Sequence, residues 1–415
     1  MTTSGTASSV LAEPIELPCG LVLPNRILKA AMGEGLADPW TAEVTPALIR
    51  LYERWAAGGS GTLITGVLCV ERRAMDSVFV TVDDASDLDG LRRWAGAVHR
   101  REVRLLGQLQ HPGRQVPRYM ARHPVAPSAL PPLGGSRLFS SSRALTSEEI
   151  EGLIRRFADA AVLVEQAGFD GIELHAAHGY LIGQFLSPET NRRTDEWGGD
   201  LARRSRFLLE IIRAVRARVD PRFAVAVKIN ASDFRPGGFD LDDSAHVVGR
   251  LGAEGVDLIE ISGGTFESDS GCLSIRPGEP GTTKEAYFAG MAPRLRAMTE
   301  VPLALTGGLR SKHVMERLLE EGTVDLIGLG RPLIQQPDLS SHLLGGTAQG
   351  IDLLPRPAHG VSELFWWIGQ FRRLAAGEDL DPAYTLRRSQ LDATRSMARQ
   401  VVANLRSSAR DVVGR

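Results

Sequence analysis

The chain has 415 residues, with 48 Lys and Arg against 50 Asp and Glu and a formal net charge of −2. That balance excludes a global electrostatic pull toward nucleic acid or an anionic membrane, so the expected partners are small molecules. Hydrophobic residues make up 43%, enough for a sizeable core, and the three cysteines (Cys19, Cys69, Cys272) lack the C-x-x-C spacing that a disulfide framework, zinc site or iron–sulfur cluster would need. The start, MTTSGTASSVLAEP, has neither a basic n-region nor an apolar h-region, and no apolar run reaches spanning length. A soluble, unprocessed protein of the reducing cytoplasm is expected.

Residues 1–12 read as a polar tail, and 15–17 and 21–23, split by Pro18, Cys19 and Gly20, as a small hairpin. Short apolar strands follow at 25–32, 62–65, 105–110, 171–174, 224–229, 258–262, 302–306 and 326–329. Helical periodicity fills 45–57, 87–101, 147–167, 201–217, 242–253, 284–298, 311–321 and 337–344, with Thr146 and Asp200 as N-caps. Strand and helix alternate, and the strands are apolar throughout, as buried parallel strands are. The pattern predicts an α/β fold, a (β/α)8 TIM barrel over 13–345, with a doubly wound sheet as the competitor. The Pro-, Gly-, Ser- and Arg-rich loop 111–144 argues against an internal helix or strand and for a lid over the barrel mouth. Beyond 345 the rhythm stops. An amphipathic aromatic helix at 362–374 and an Arg-rich helix at 385–412 make 346–415 a helical extension, packing on the barrel or on a partner subunit of a homo-oligomer (dimer or higher). Acidic residues such as Asp392 and Asp411 interrupt the Arg-rich run and argue against nucleic-acid binding.

In a barrel, chemistry sits where strands end. Met32, Gly33, Gly66, Gln108, Gln110, His175, Lys228, Asn230, Gly263, Gly264, Gly307, Gly308, Gly330 and Arg331 all fall there. In the stretch 171–199, His175, His178 and Tyr180 follow one another within a turn. If the chain turns helical after His175, both imidazoles share a face, able to polarise a carbonyl-like oxygen while the phenol delivers a proton. TGGLR after the seventh strand and GLGRP at the eighth lie where barrels often bind phosphate; glycine lets backbone N–H groups approach the anion, and Arg331 adds a planar fork.

Seven blocks, NRILKAAM, GQLQHPGR, HAAHGYLIGQFLSPETNRRTDEWGG, VKINASDF, ISGG, TGGLRS and GLGRP, occur in the order and at the strands in which the chain resembles the Old Yellow Enzyme family, over about 13–340. The resemblance implies FMN on the barrel mouth, with Ala31, Met32, Gly33 and the segment around Gly66 along the flavin. It also implies Gln108 and Lys228 at the pyrimidine edge, and Gly307, Gly308, Gly330 and Arg331 at the phosphate. It makes His175 and His178 the binders of the substrate's activating oxygen and Tyr180 the proton donor, in a hydride transfer from NADH or NADPH through flavin to an alkene conjugated to a carbonyl or nitro group. Two positions depart from the family. Gly33 stands where Thr or Cys usually bonds the flavin, with Glu34 beside it, which implies a lower reduction potential unless Glu34 turns inward. Lys228 stands where many members have Arg. The alternatives are a flavin-dependent desaturase or oxidase of a specialised metabolite, a metal-dependent hydrolase using His175, His178 and Glu173 or His111, a Schiff-base lyase using Lys228, and a non-catalytic flavoprotein sensor.

Overall fold

A computed structural model describes residues 9–120, 123–267, 285–354 and 361–392, with scattered positions beyond. Eight parallel strands close into a barrel: β1 (Ile27–Lys29), β2 (Thr62–Cys69), β3 (Arg104–Gln110), β4 (Gly171–Ala176), β5 (Ala224–Asn230), β6 (Leu258–Ser262), β7 (Leu303–Thr306) and β8 (Leu326–Leu329). β8 pairs with β1 and β1 with β2, so the eight strands form a closed ring that is not doubly wound; a short ninth strand, Val80–Thr81, pairs with the end of β2. The ring of helices is α1 (Pro46–Ala56), α2 (Leu88–His99), α3 (Ser147–Gln166), α4 (Leu201–Arg216), α5 (Leu241–Leu251), α6 (Ala292–Arg296), α7 (Lys312–Glu320) and α8 (Leu339–Leu344). Thr146 caps α3 through a reciprocal box with Glu149, and Asp200 caps α4 by accepting from the Arg203 amide.

The strands alternate. Leu28, Ile64, Leu106, Ala224, Ala226, Leu258, Ala304 and Leu326 form the apolar barrel interior, and Leu17 and Leu23 of the hairpin (Ile15–Glu16 with Val22–Leu23) join that cluster as a plug at its N-terminal end. Lys29, one residue from Leu28, therefore points outward, under α1. Its ammonium lies over the Trp55 and Tyr52 rings (4.5 and 4.9 Å) and donates to the Ile64 carbonyl (2.8 Å) and to Glu34 (3.4 Å). Burial brings its pKa down to about 8 despite Glu34.

Three expectations change. The helix expected over 284–298 is confined to α6, because Pro293 starts it and 285–291 turns inward to bury Tyr287 and Phe288; residue 284 lies outside the described residues. The lid loop does contain secondary structure: Val125–Ala126 pairs with Arg143–Ala144, and Leu133–Gly135 forms a 3-10 turn. Short helices that the periodicity did not reveal follow β4 and β8, at Leu181–Leu186 and Arg331–Gln335. In the tail, α9 (Val361–Ala375) packs on α1, with Phe371 edge-on to Trp55 at 5.9 Å and Arg50 donating to the Ala375 carbonyl (3.0 Å). Residues 386–392 are helical, and most of the expected 385–412 helix lies outside the described residues, as does Cys272. No helix among the described residues is long and apolar enough to cross a membrane.

Candidate active site

Period two carries each strand from an apolar interior to a polar mouth: Leu106, Gln108, Gln110 on β3; Glu173, His175 on β4; Ala226, Lys228 on β5; Leu258, Glu260, Ser262 on β6. Above them opens a cavity of about 370 Å3, lined by Ala31, Met32, Gly33, Gln108, His175, His178, Tyr180, Lys228, Gly307, Gly308, Gly330 and Arg331 among others. Of the strand-end residues singled out in sequence, Gly66, Asn230 and Gly264 do not line it; Val67, next to Gly66, does. A Cβ on Gly66 would lie 1.9 Å from Glu34 Oε2, so that glycine lets the Glu34 carboxylate pass behind the strand. Glu34 does turn inward, but to Lys29 and the Tyr52 hydroxyl rather than into the cavity.

His175 and His178 converge through a left-handed turn, not a helix face. His178 has φ 57° and Gly179 φ 75°, and the helix begins only at Leu181, with Tyr180 as its N-cap. The His178 amide donates to Asn230 Oδ1 (3.2 Å) and its carbonyl accepts from Gln115 Nε2 (2.9 Å), which offsets the strain of a non-glycine residue in that region. The ring of His175 lies 5.1 Å from that of His178 and 4.7 Å from that of Tyr180. Burial, with the neighbouring His178 and Lys228 charges, holds His175 well below its ordinary pKa, and burial and Lys228 bring His178 to about 3. Both rings are therefore neutral, with one N–H each. His175 Nδ1 accepts from the Ala177 amide (3.3 Å), which leaves its proton on Nε2. His178 Nε2 lies 2.8 Å from Ser262 Oγ; with the serine as donor, the His178 proton sits on Nδ1. Glu173 and His111 do not join this pair, since Glu173 bonds Gln108 and His111 bonds Glu71.

Beneath the cavity lies a charged layer. Gln108 Nε2 donates to Glu173 Oε1 (2.6 Å), and Lys228 Nζ to Glu260 Oε1 (2.8 Å). Burial and the Glu260 charge push Glu173 well above the carboxylate range, whereas Glu260, which burial alone would also raise, is held at about 2 by Lys228 and its hydrogen bonds. The layer holds one carboxylic acid, one carboxylate and one ammonium.

At the opposite end Gly307 (φ 139°) and Gly308 (φ 75°) are required by packing, because added Cβ atoms would lie 2.7 and 2.5 Å from the Phe288 and Tyr287 rings. Gly330 is open, with Met32 Sδ its nearest neighbour at 3.7 Å. Arg331 lines the same end with Glu363 of α9 at 3.9 Å, and the Glu363 carboxylate also accepts from Trp367 Nε1 (3.2 Å). Sequence reasoning missed the walls: Asp76, Phe79, Gln115, Tyr119, Phe139, Ser262, Phe288 and the α9 face of Glu363, Leu364, Phe365, Trp367 and Phe371. The aromatic density of 362–374 was the available signal for the last group.

Known proteins share this architecture. Residues 10–349 match the model of the NADH:flavin oxidoreductase / NADH oxidase family. The NADH-dependent flavin oxidoreductase iccE of Talaromyces variabilis is 36% identical over 409 residues, covering 88% of this chain and 98% of that protein. An NADH oxidase of Thermoanaerobacter brockii is 36% identical over 322 residues, 77% of this chain and 48% of that protein. Among solved structures, the old yellow enzyme homologue of Zymomonas mobilis gives a TM-score of 0.71 at 26% identity over 83% of this chain and 95% of the other. Morphinone reductase in complex with tetrahydroNAD gives 0.70 at 26%, over 90% and 99%. With most of its length under that family model, the chain belongs to the NADH:flavin oxidoreductase / NADH oxidase family, the Old Yellow Enzyme group, and is an NADH-dependent flavin oxidoreductase.

Proposed function

We propose that the flavin is FMN and that the enzyme reduces the C=C bond of a small molecule whose alkene is conjugated to a carbonyl or nitro group. The observation that carries this reading is the pair of neutral imidazoles beside a phenol, in the same cavity as Lys228 and Gln108. The cavity residues fit the cofactor: a cation and an amide lie at its floor, glycines at the ends of two adjacent strands, and an arginine at the far end. Bound FMN would supply the hydride, taken from the nicotinamide and passed to the substrate's β-carbon. His175 Nε2–H and His178 Nδ1–H would hold the activating oxygen and stabilise the negative charge that grows on it, an effect typically worth about 3 kcal/mol per donor. Tyr180 would protonate the α-carbon. Lys228 would set a positive charge against the flavin's pyrimidine edge, with Gln108 beside it. Ala31, Met32 and Gly33 would border the ring, and Gly307, Gly308, Gly330 and Arg331 would face the phosphate. A homo-oligomer in the cytoplasm belongs to the same reading, with light scattering as the test of its assembly.

The purified protein is expected to be yellow and to release FMN at near one per chain. His175→Ala with His178→Ala should keep the flavin and lose the long-wavelength band formed with a para-substituted phenol; a band kept at unchanged affinity makes the pair structural. Tyr180→Phe should spare flavin reduction and slow enone reduction in stopped flow. Equal slowing of both half-reactions contradicts the proton-donor role.

A further inference from the structure

Glu173 and Glu260 are fully buried beneath the cavity, on β4 and β6, and β5 between them carries only the small Ala226 at the level of Glu173. Their Oε1 atoms are taken. Glu173 accepts from Gln108 Nε2 straight across the β3–β4 register, and Glu260 from Lys228 Nζ straight across the β5–β6 register. The Oε2 atoms of both have no hydrogen-bond partner among the described residues, although the two carboxyls lie within bonding reach of each other. Two carboxylates would repel there, above the apolar interior of Leu106, Ala226 and Leu258, whereas one proton held between them completes both oxygens. The direction of every bond then follows from Lys228. An ammonium only donates, so Glu260 accepts; Glu173 gives its proton to Glu260 and turns a bare oxygen to Gln108. Gln108 must answer with its NH2, and the atom it presents to the cavity is Oε1.

We propose that Glu173 is a positioning residue for the cofactor: acting through Gln108, it fixes the cavity floor as a hydrogen-bond acceptor where that floor meets the pyrimidine ring of the flavin. That ring carries a single N–H, at N3, between two carbonyls. An acceptor beside the Lys228 ammonium matches an N–H beside a carbonyl. A Gln108 free to turn would offer its NH2 to either carbonyl as readily as its oxygen to the N–H, and the ring would lose its register on the floor. The Glu173 carboxyl thus touches neither cofactor nor substrate in this scheme, and it acts by deciding which end of Gln108 does. The proposal rests on the placement of the pyrimidine edge assigned above and names what holds that edge in register.

The test is fluorescence titration of the full-length apoprotein with FMN and with 3-methyl-FMN, in which that N–H is blocked. Wild type should bind FMN on the order of tenfold more tightly than the methylated analogue, the effect of one good hydrogen bond. Glu173→Gln should keep that ratio, because the new amide accepts from Gln108 and donates to Glu260 as the acid does. Glu173→Met should bring it toward one, because Gln108 can then turn its NH2 upward or swing away from the methyl group. General damage to the fold weakens both ligands together and leaves the ratio where it was. A ratio unchanged in Glu173→Met, or lost in Glu173→Gln, overturns the proposal. If the Met variant does not fold, NMR of FMN labelled with 15N at N3 decides: the N3–H correlation should be sharp and protected from exchange in wild type and in Glu173→Gln, and its absence from either overturns the proposal. Failure of wild type to bind FMN removes the cofactor reading and this role with it, while FMN binding without discrimination leaves that reading standing and removes only the role of Glu173.

Discussion

Glu173 and Glu260 occupy one buried layer yet are pushed in opposite directions: Lys228 donates to Glu260 and holds it ionised, while burial and the Glu260 charge raise Glu173. Replacing a neutral acid by an amide of the same shape removes no charge. Glu173→Gln should therefore change unfolding free energy by less than about 1 kcal/mol, whereas Glu260→Gln strips a buried ammonium of its partner and should cost about 3 kcal/mol, less whatever Glu173 restores by ionising in its place. Urea denaturation of the two variants checks the order, and a reversed order would mean that Glu173 carries the charge. Gly33 is a second case in which a neighbour decides. A Cβ there would lie 2.9 Å from the Phe79 ring, so the space a Thr side chain would need is already filled by the protein. Gly33→Thr alone should lose about 1–3 kcal/mol by overpacking, and adding Phe79→Ala should recover part of it. A single variant as stable as wild type, with a raised flavin potential, would return the glycine to its reading as a tuning device. The departure at Gly33 was legible in the sequence. Its cause was not, because Phe79 comes from the segment after β2, and no local pattern ties the two.

Among the elements, the eight strands were readable because buried parallel strands leave continuous apolar runs, and most of the cavity-lining positions proposed for the chemistry were readable because they sit where those runs stop. Turns were not. The convergence of His175 and His178 was expected from a helix face, yet it comes from a left-handed turn that Asn230 on β5 and Gln115 in the lid hold in place; a partner on another strand leaves no periodic trace in one stretch of sequence. The lid was legible as a lid but not as an ordered one. Arg114 fastens it, donating to the Pro131 carbonyl (2.9 Å) and pairing with Glu267 (3.3 Å), and Pro117, Tyr119 and Phe139 then face the cavity. The tail helix was legible as amphipathic, but nothing in its pattern said that its Glu363 would meet Arg331. That contact sets up a prediction for α9 as an element. If Arg331 faces the cofactor phosphate, Glu363 competes for it, so Glu363→Gln should tighten FMN binding while Arg331→Met weakens it, each on the order of tenfold. Both variants keep the Trp55–Phe371 packing that docks the helix, so fluorescence titration of the apoprotein with FMN reads the charge alone. Weaker binding in Glu363→Gln would instead make the carboxylate a support that orients Arg331.

Across the whole molecule, the buried site groups oppose one another in their response to acid. His175 and His178 have folded pKa values below the ordinary 6.5, so as pH falls through that value the unfolded chain takes up two protons that the folded chain refuses, and stability is lost. Glu173 lies well above its ordinary 4.5, and burial raises Asp76 from 3.8 to about 7. Those two groups keep protons in the folded chain that the unfolded chain has released, so their contribution grows as pH falls through the same window. Two losses and two gains cancel, and these four groups should leave wild-type stability nearly flat between about pH 5 and 6. Single neutral substitutions break the balance in opposite directions. Glu173→Gln removes a gain, so that variant should lose about 1.4 kcal/mol per pH unit on acidification relative to wild type, while His178→Gln removes a loss and should gain about as much. Urea denaturation of the apoprotein at the two ends of that window measures both slopes. Parallel profiles for the two variants would mean that the imidazoles and the acid titrate in the folded barrel as they do in water, and the neutral N–H donors on which the proposed chemistry depends would then be charged at the acid end of the window.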